Sequence, residues 1–363
     1  MRVLMVLRDA PLPGGLEHAV ATIGRALTAQ GFLLDVVVLT RADGPGRSAS
    51  VFDGVLPVQR IEQDQLAGWV RRADVVHVHA QDALHWPHSL LLTARRAGRP
   101  VVLTVHLPSY PPRGAWSPGR VRVSATLVAL GAALRLLGAV VRAPSTQAAA
   151  DARRRFGRLV PVGVLPNAVP DAGVADWPTG PVRLALVGRL EGHKEPQTFL
   201  DAVALAVAQG VDLHADVVGD GPLRDALTAA VARAGLTERV RFHGWLDDPG
   251  PVIAAAQALV LTSRSEGAVP LVALAAAGLG RGLVVRDGLE GFADRWTDAV
   301  HRVPAQAEAA DFAAAFVQLA ADPDRLVRMG SAARAAFDHG PTPTSGAQTW
   351  GALYRSAVDR RPR

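Results

Sequence analysis

Hydrophobic positions along this chain fall into short continuous runs separated by stretches of helical spacing. Uninterrupted apolar runs suit strands covered on both faces, so the pattern predicts parallel sheets with helices packed above and below. Residues 2 to 7 read as a first strand, Leu16 to Leu27 as a helix and Leu34 to Leu39 as a second strand. Residues 41 to 50 are polar and Gly-rich, a loop. A helical stretch then leads to the strand Ala73-Asp74-Val75-Val76-His77-Val78-His79, and another helix leads to the strand Pro100 to Val105. The longest apolar stretch, Val123 to Val141, has one charge, Arg135. It reads as a buried helix broken at Gly138, and the β-branched pair Val140-Val141 begins a strand. Ser145-Thr146 caps a basic helix, and residues 162 to 167 form a short strand and turn.

Residues 170 to 181 carry Pro and Gly without apolar periodicity and read as a linker. Strand and helix alternate again beyond it, with strands predicted at 182–187, 213–218, 239–243, 258–262 and 283–286. A last helix, Gln348 to Val358, carries Trp350, Leu353 and Tyr354 on a side suited to packing back on the first half. The expected organisation is α/β, with two Rossmann-like doubly wound parallel-sheet domains facing a cleft. Their bounds are 1–169 and 182–345, joined by 170–181 and followed by a returning helix in 346–363.

Composition changes this picture little. With 363 residues, 49% hydrophobic and 20% charged, the chain is long enough for two cores. No cysteine is present, which removes disulfides and thiolate metal sites and suits a cytoplasmic setting. The start reaches Arg8-Asp9 too soon for a signal peptide. The net charge of +6 suits anionic ligands, but the basic residues read as dispersed, with short clusters such as Arg153-Arg154-Arg155 and no interleaved aromatics, so nucleic acid is not expected.

The candidate chemistry begins at Lys194, the one lysine among 39 basic residues. An apolar run ends in Gly188-Arg189-Leu190-Glu191-Gly192-His193-Lys194, and a helix follows. A planar guanidinium, a compact ammonium and free helix-start amides are thereby gathered where a diphosphate would be neutralised. Gly14-Gly15 opens a helix after the first strand, and Gly219-Asp220-Gly221-Pro222 does so after another. His106 ends a strand at the sheet edge where ligands gather. In Ser263-Arg264-Ser265-Glu266-Gly267 a carboxylate beside a helix start suits sugar hydroxyls. His77 and His79 share one strand face, but with His85 and His88 they complete no metal-ligand spacing, and no metal is expected. Asp322-Pro323-Asp324 reads as a helix start.

In their order, Gly14-Gly15-Leu16-Glu17, Asp74 to His79, Thr104-Val105-His106, Leu165-Pro166-Asn167, Val187 to Leu190 with Lys194, Gly219 to Pro222, Arg239 to Gly244 and Ser263 to Gly267 resemble one family pattern. It is that of the retaining glycosyltransferases of the GT-B fold, family four (glycosyl transferases group 1), of actinobacterial type. The resemblance implies metal-independent, cofactor-free transfer of a sugar from a nucleoside diphosphate to a hydroxyl. UDP is the first expectation, with dTDP or GDP open. Arg189, Lys194, Gly14 and Gly15 would meet the diphosphate, His106 the donor sugar and Glu266 a sugar hydroxyl. Gly188, Gly219, Gly267, Ala268 and Val269 would line the donor site, with His243, Gly244 and Trp245 near the base. The expected acceptor is a small molecule of antibiotic or inositol type, contacted by residues 107 to 118. A lipid acceptor with peripheral membrane contact, a non-catalytic nucleotide- or partner-binding protein and an epimerase are the alternatives. Oligomeric state is open.

One departure stands out. The family carries a second glutamate after the first, separated from it by seven residues, which grips the ribose. Here Leu274 has that spacing and Ala275 the place suggested by the preceding Leu. Loss of that acceptor would weaken donor binding by about 1.5–3 kcal/mol. A donor with fewer ribose contacts, compensation by Glu290 or Asp294, or a weakened enzyme would account for it.

Overall fold

The computed structural model describes residues 1–10, 13–40, 46–80, 89–106 and 118–360, with backbone alone for 48 and 118–124. The chain divides into two units, Met1–Val169 with Pro341–Arg363, and Pro170–Gly340.

The first unit runs β1 (Arg2–Arg8), α1 (Gly15–Ala29), β2 (Leu33–Leu39), β3 (Val58–Ile61), α2 (Leu66–Arg72), β4 (Val75–Ala80), α3 (Ser89–Arg96), β5 (Val101–Val105), α4 (Pro118–Leu136), β6 (Val140–Ala143), α5 (Thr146–Arg155) and β7 (Val162–Val164). Its seven strands form one parallel sheet in the order β3-β2-β1-β4-β5-β6-β7. Val3 to Leu7 of β1 are at most 1% exposed because helices cover both faces, and this produces the unbroken apolar run. Each such side chain contributes about 2 kcal/mol by leaving water.

The second unit runs β8 (Val182–Val187), α6 (Pro196–Ala208), β9 (Leu213–Val218), α7 (Arg224–Arg233), β10 (Val240–Gly244), α8 (Gly250–Ala254), β11 (Ala258–Leu261), α9 (Leu271–Gly278), β12 (Gly282–Arg286), β13 (Val300–Val303), α10 (Ala309–Ala321) and α11 (Pro323–Asp338). Its six parallel strands lie in the order β10-β9-β8-β11-β12-β13. Each unit is therefore Rossmann-like, with strand order reversing beside the first strand. The Asp322 side chain accepts the Arg325 N–H at 2.9 Å with Pro323 in the first helical position, so the Asp-Pro-Asp triplet starts α11.

The last helix, α12 (Pro343–Asp359), belongs to the first unit, where Trp350 and Tyr354 are buried beside β4. Residues 170 to 181, expected as a linker, lie in the second unit and pack there. Arg281, 1% exposed, donates to the Ala175 and Asp176 carbonyls and stacks over Trp177, while Gln257 donates to the Pro178 and Pro181 carbonyls. The segment lacks periodicity because its order comes from side chains reaching its backbone.

Other differences have equally local causes. The stretch expected as helical before β4 contains β3, an edge strand whose Gln59 and Arg60 face solvent and break its apolar signature. The edge strand β13, Val-His-Arg-Val, was hidden by a different cause, since the two residues that interrupt its apolar run are a buried histidine, His301, and a half-buried arginine, Arg302. The helix α4, expected to be buried, buries Leu127, Leu130 and Leu134 but leaves Val128 and Leu136 exposed.

Candidate active site

In a parallel sheet every strand ends at one edge, and the connections that leave this edge are where chemistry collects. In the second unit the expected residues follow β8, β9, β10 and β11 at that edge.

After β8 the backbone turns at Gly188 and meets the turn after β9. The Gly188 N–H donates to the Val218 carbonyl and the Leu190 N–H to the Asp220 carbonyl. A Cβ on Gly219, whose φ is +132°, would lie 1.9 Å from the Gly188 carbonyl oxygen, so glycine is required by contact as well as by conformation. A Cβ on Gly188 itself would meet nothing within 4 Å, leaving that backbone open to a ligand.

Lys194 and Glu266, 72 residues apart, form an ion pair with Nζ 2.5 Å from Oε1. The same oxygen accepts the Ser263 hydroxyl at 2.6 Å, and Glu266 is 7% exposed. Arg189 is half-buried, with Nη1 3.0 Å from Glu191 Oε1. Burial first, and then the Lys194 charge, push the His193 pKa down. Gly267 and Ala268 are buried and Val269 half-buried immediately before α9. No residue of α9, Leu271–Gly278, is a carboxylate; Leu274 is buried and Ala275 half-buried. Glu290 comes to the same loop by another route. Its carboxylate accepts the Glu266 N–H at 2.9 Å and the Ser265 hydroxyl at 3.2 Å, so it anchors the backbone that carries Glu266.

Two residues the sequence did not single out, Glu195 and Arg286, hold this arrangement. Glu195 sits in the left-handed region at φ 48° and ψ 48°, joining the Lys194 turn to α6. Its carboxylate pairs with Arg264 and with Arg286, the latter at 2.5 Å. Arg286, 1% exposed, also donates to the Thr262 and Ala307 carbonyls and lies over the Phe312 ring. The Thr262 hydroxyl donates to the Lys194 carbonyl at 2.7 Å. An arginine ending the apolar run Gly282 to Val285 was the only available signal.

At β10, His243 Nε2 is 2.7 Å from Oδ1 of Asp216, which is 3% exposed, and Arg183 pairs with the other Asp216 oxygen at 3.0 Å. His243 is thus fastened to β9. Gly244, at φ +70°, packs near the Arg224 guanidinium, and the half-buried Trp245 donates to Asp247 at 3.3 Å.

In the first unit, Gly14 caps α1 and Gly15 begins it. The Gly14 N–H donates to the buried Glu17 carboxylate at 2.8 Å. His106 follows β5, its Nε2 3.2 Å from Nδ1 of His79. His79 stacks on Trp350. His77 is 2.7 Å from the Tyr354 hydroxyl and 2.8 Å from the Thr104 hydroxyl. Burial pushes His106 down to about 4 and holds His77 and His79 well below the usual imidazole range, so all three are neutral near pH 7. His77 and His79 are therefore packing and hydrogen-bonding groups. His85, His88 and residues 107–117 of the expected acceptor loop lie outside the described residues.

A family model of glycosyl transferases group 1 matches residues 181–322, and one of glycosyltransferase family 4 matches residues 13–172. The 2-deoxystreptamine N-acetyl-D-glucosaminyltransferase of Streptomyces fradiae is 29% identical, the match covering 70% of each chain. The 2-deoxystreptamine glucosyltransferase of Streptomyces kanamyceticus is 32% identical over 53% of this chain and 54% of that one. Anabaena HepE, crystallised with UDP and glucose, shares the fold with a TM-score of 0.78 at 17% identity, over 98% of this chain and 100% of its own.

Proposed function

We propose that the chain is a member of the glycosyl transferases of group 1, family four, and a retaining, metal-independent hexosyltransferase that acts on a small polyhydroxylated acceptor; the two family models that match its two halves and the two parallel-sheet units of the GT-B fold support this reading. The donor is a nucleoside diphosphate sugar, UDP in first place and dTDP or GDP after it. An aminocyclitol acceptor related to 2-deoxystreptamine is favoured by the names of the two Streptomyces relatives.

The observation that carries this reading is the Lys194–Glu266 pair, which joins the loop after β11 to the loop after β8 that begins with the open backbone of Gly188. An ammonium has three donor hydrogens and Glu266 Oε1 engages one, so a diphosphate can join the same cation while Glu266 holds it in place. Arg189 supplies the second cation. As the bond between the anomeric carbon and the diphosphate oxygen breaks, Arg189, Lys194 and the amides around Gly188 and Gly267 stabilise the charge left on the phosphate. The acceptor oxygen bonds to the anomeric carbon from the same face, and its proton passes to the departing phosphate oxygen. Glu266 orients the sugar through hydroxyl hydrogen bonds, and His106 of the first unit, uncharged near pH 7, serves as a hydrogen-bonding group and not as an acid.

The absence of any carboxylate on α9 favours one other reading, a protein that binds a nucleotide without turnover. Thermal shifts with UDP, dTDP, GDP and ADP, followed by incubation of the matching sugar nucleotides with 2-deoxystreptamine, separate the two. Stabilisation by one nucleotide together with an α-linked product from an α-linked donor is the expected result. Binding without turnover supports the second reading, and no binding at all refutes both.

A further inference from the structure

The basic residues, dispersed along the chain, are unevenly matched by acids, so that the net charge is concentrated in one stretch of the first unit. Between Ala83 and Pro170 there are twelve arginines and a single acidic residue, Asp151. That stretch carries +11 where the whole chain carries +6, so the remainder is −5. The single acid is already paired with Arg154.

Where the structure describes these side chains, several share one surface. Arg135 at the end of α4 and Arg153, Arg154 and Arg158 at and beyond the end of α5 line one open groove together with Leu159. Exposed apolar side chains accompany it: Leu159 in its lining is 43% exposed, Val128, 41% exposed, meets Leu159 at the backbone of Gly157, and Leu136, 80% exposed, follows Arg135 at the end of α4. Favourable interaction with the carbonyl ends of α4 and α5 would account for arginines there. It would not place exposed leucine and valine among them, nor clear acids from the stretch.

The groove is not part of the transfer site. The chain passes from Leu136 to the start of β6 and from Arg158 to the start of β7, so the groove lies at the edge of the sheet where strands begin. His106 follows the end of β5, at the opposite edge.

We propose that this groove and the apolar side chains that accompany it are a docking surface for an anionic phospholipid membrane, which holds the enzyme peripherally. Phosphate headgroups match the guanidinium fork, and the exposed Leu136, Leu159 and Val128 side chains enter the boundary between headgroups and acyl chains. The paired demand for cations and exposed apolar side chains favours a lipid surface over a soluble anion, which has no use for the apolar side chains. The proposal stands apart from the choice of donor and acceptor.

The test is co-sedimentation of the full chain with vesicles of phosphatidylcholine, with and without about one third phosphatidylglycerol, at about 50 mM and about 500 mM salt. Binding is expected only to the anionic vesicles and is lost at high salt. Replacing both Arg135→Gln and Arg158→Asn should lower binding about twenty-fivefold, about fivefold for each surface cation removed. Leu136→Ser, at a side chain with no packing to lose, should also weaken binding while its salt dependence persists. Nucleotide binding by the same preparations reports that each variant is folded and is unaffected. Equal binding to neutral vesicles, no binding to either, or indifference to the arginine pair would overturn the proposal. Indifference to Leu136→Ser with displacement by inorganic phosphate would assign the groove to a soluble anion and overturn it as well.

Discussion

Glu195→Gly sets two effects of opposite sign against each other at one position. Glycine removes the cost of a left-handed backbone at φ 48°, a gain of about 1–2 kcal/mol. It also removes the carboxylate that pairs with Arg264 and Arg286. The Arg264 side chain is 45% exposed, so that pair contributes under about 1 kcal/mol. The Arg286 side chain is 2% exposed, and removing the partner of a buried charge costs about 3–5 kcal/mol. The carbonyls of Thr262 and Ala307 still accept from its guanidinium and keep the loss at the lower end. The net expectation is destabilisation of the second unit by about 2 kcal/mol, a fall of about 4–8 °C in its thermal midpoint. Nucleotide affinity should fall too, because Glu195 fixes the turn that presents Lys194. Scanning calorimetry of Glu195→Gly, Arg286→Met and the double variant supplies the coupling energy, expected above about 1.5 kcal/mol. A raised midpoint in Glu195→Gly, or coupling below about 0.5 kcal/mol, would refute the reasoning.

Lys194→Arg keeps the charge but replaces a compact ammonium by a planar fork, and calorimetric titration with nucleoside diphosphate should show weakening of roughly tenfold or more; wild-type affinity would sink the diphosphate assignment. Gly219→Ala brings a methyl against the Gly188 carbonyl and should cost the second unit about 3 kcal/mol, read by urea unfolding, whereas Gly192→Ala, with open space at the same probe position, should cost under about 1 kcal/mol. The His106 pKa of about 4 lies below its ordinary 6.5, so the unfolded state takes up the proton first as pH falls. Stability from this group is complete above pH 6.5 and lost toward pH 4, by about 3 kcal/mol, and His77 and His79 act in the same direction. Denaturant titrations at pH 7 and pH 4.5 measure it, and His106→Gln should flatten the difference.

The buried strands, the glycine turns that end them and the placement of Arg189, Lys194, His106 and Glu266 beside those turns were determined by the sequence alone. These features depend on near neighbours in the chain: an unbroken apolar run must be covered on both faces, and a turn at the end of a buried strand must emerge at a sheet edge. The tertiary structure decided which groups meet. Lys194 finds Glu266 across 72 residues, and His77 is covered by Tyr354 across 277. Burial of Arg281 and Arg286 depends on a proline-rich segment and a glutamate that no periodicity connects to them. A polar side chain is read from sequence as exposed because burying it is costly, and only the folded chain shows which carbonyls and carboxylates offset that cost.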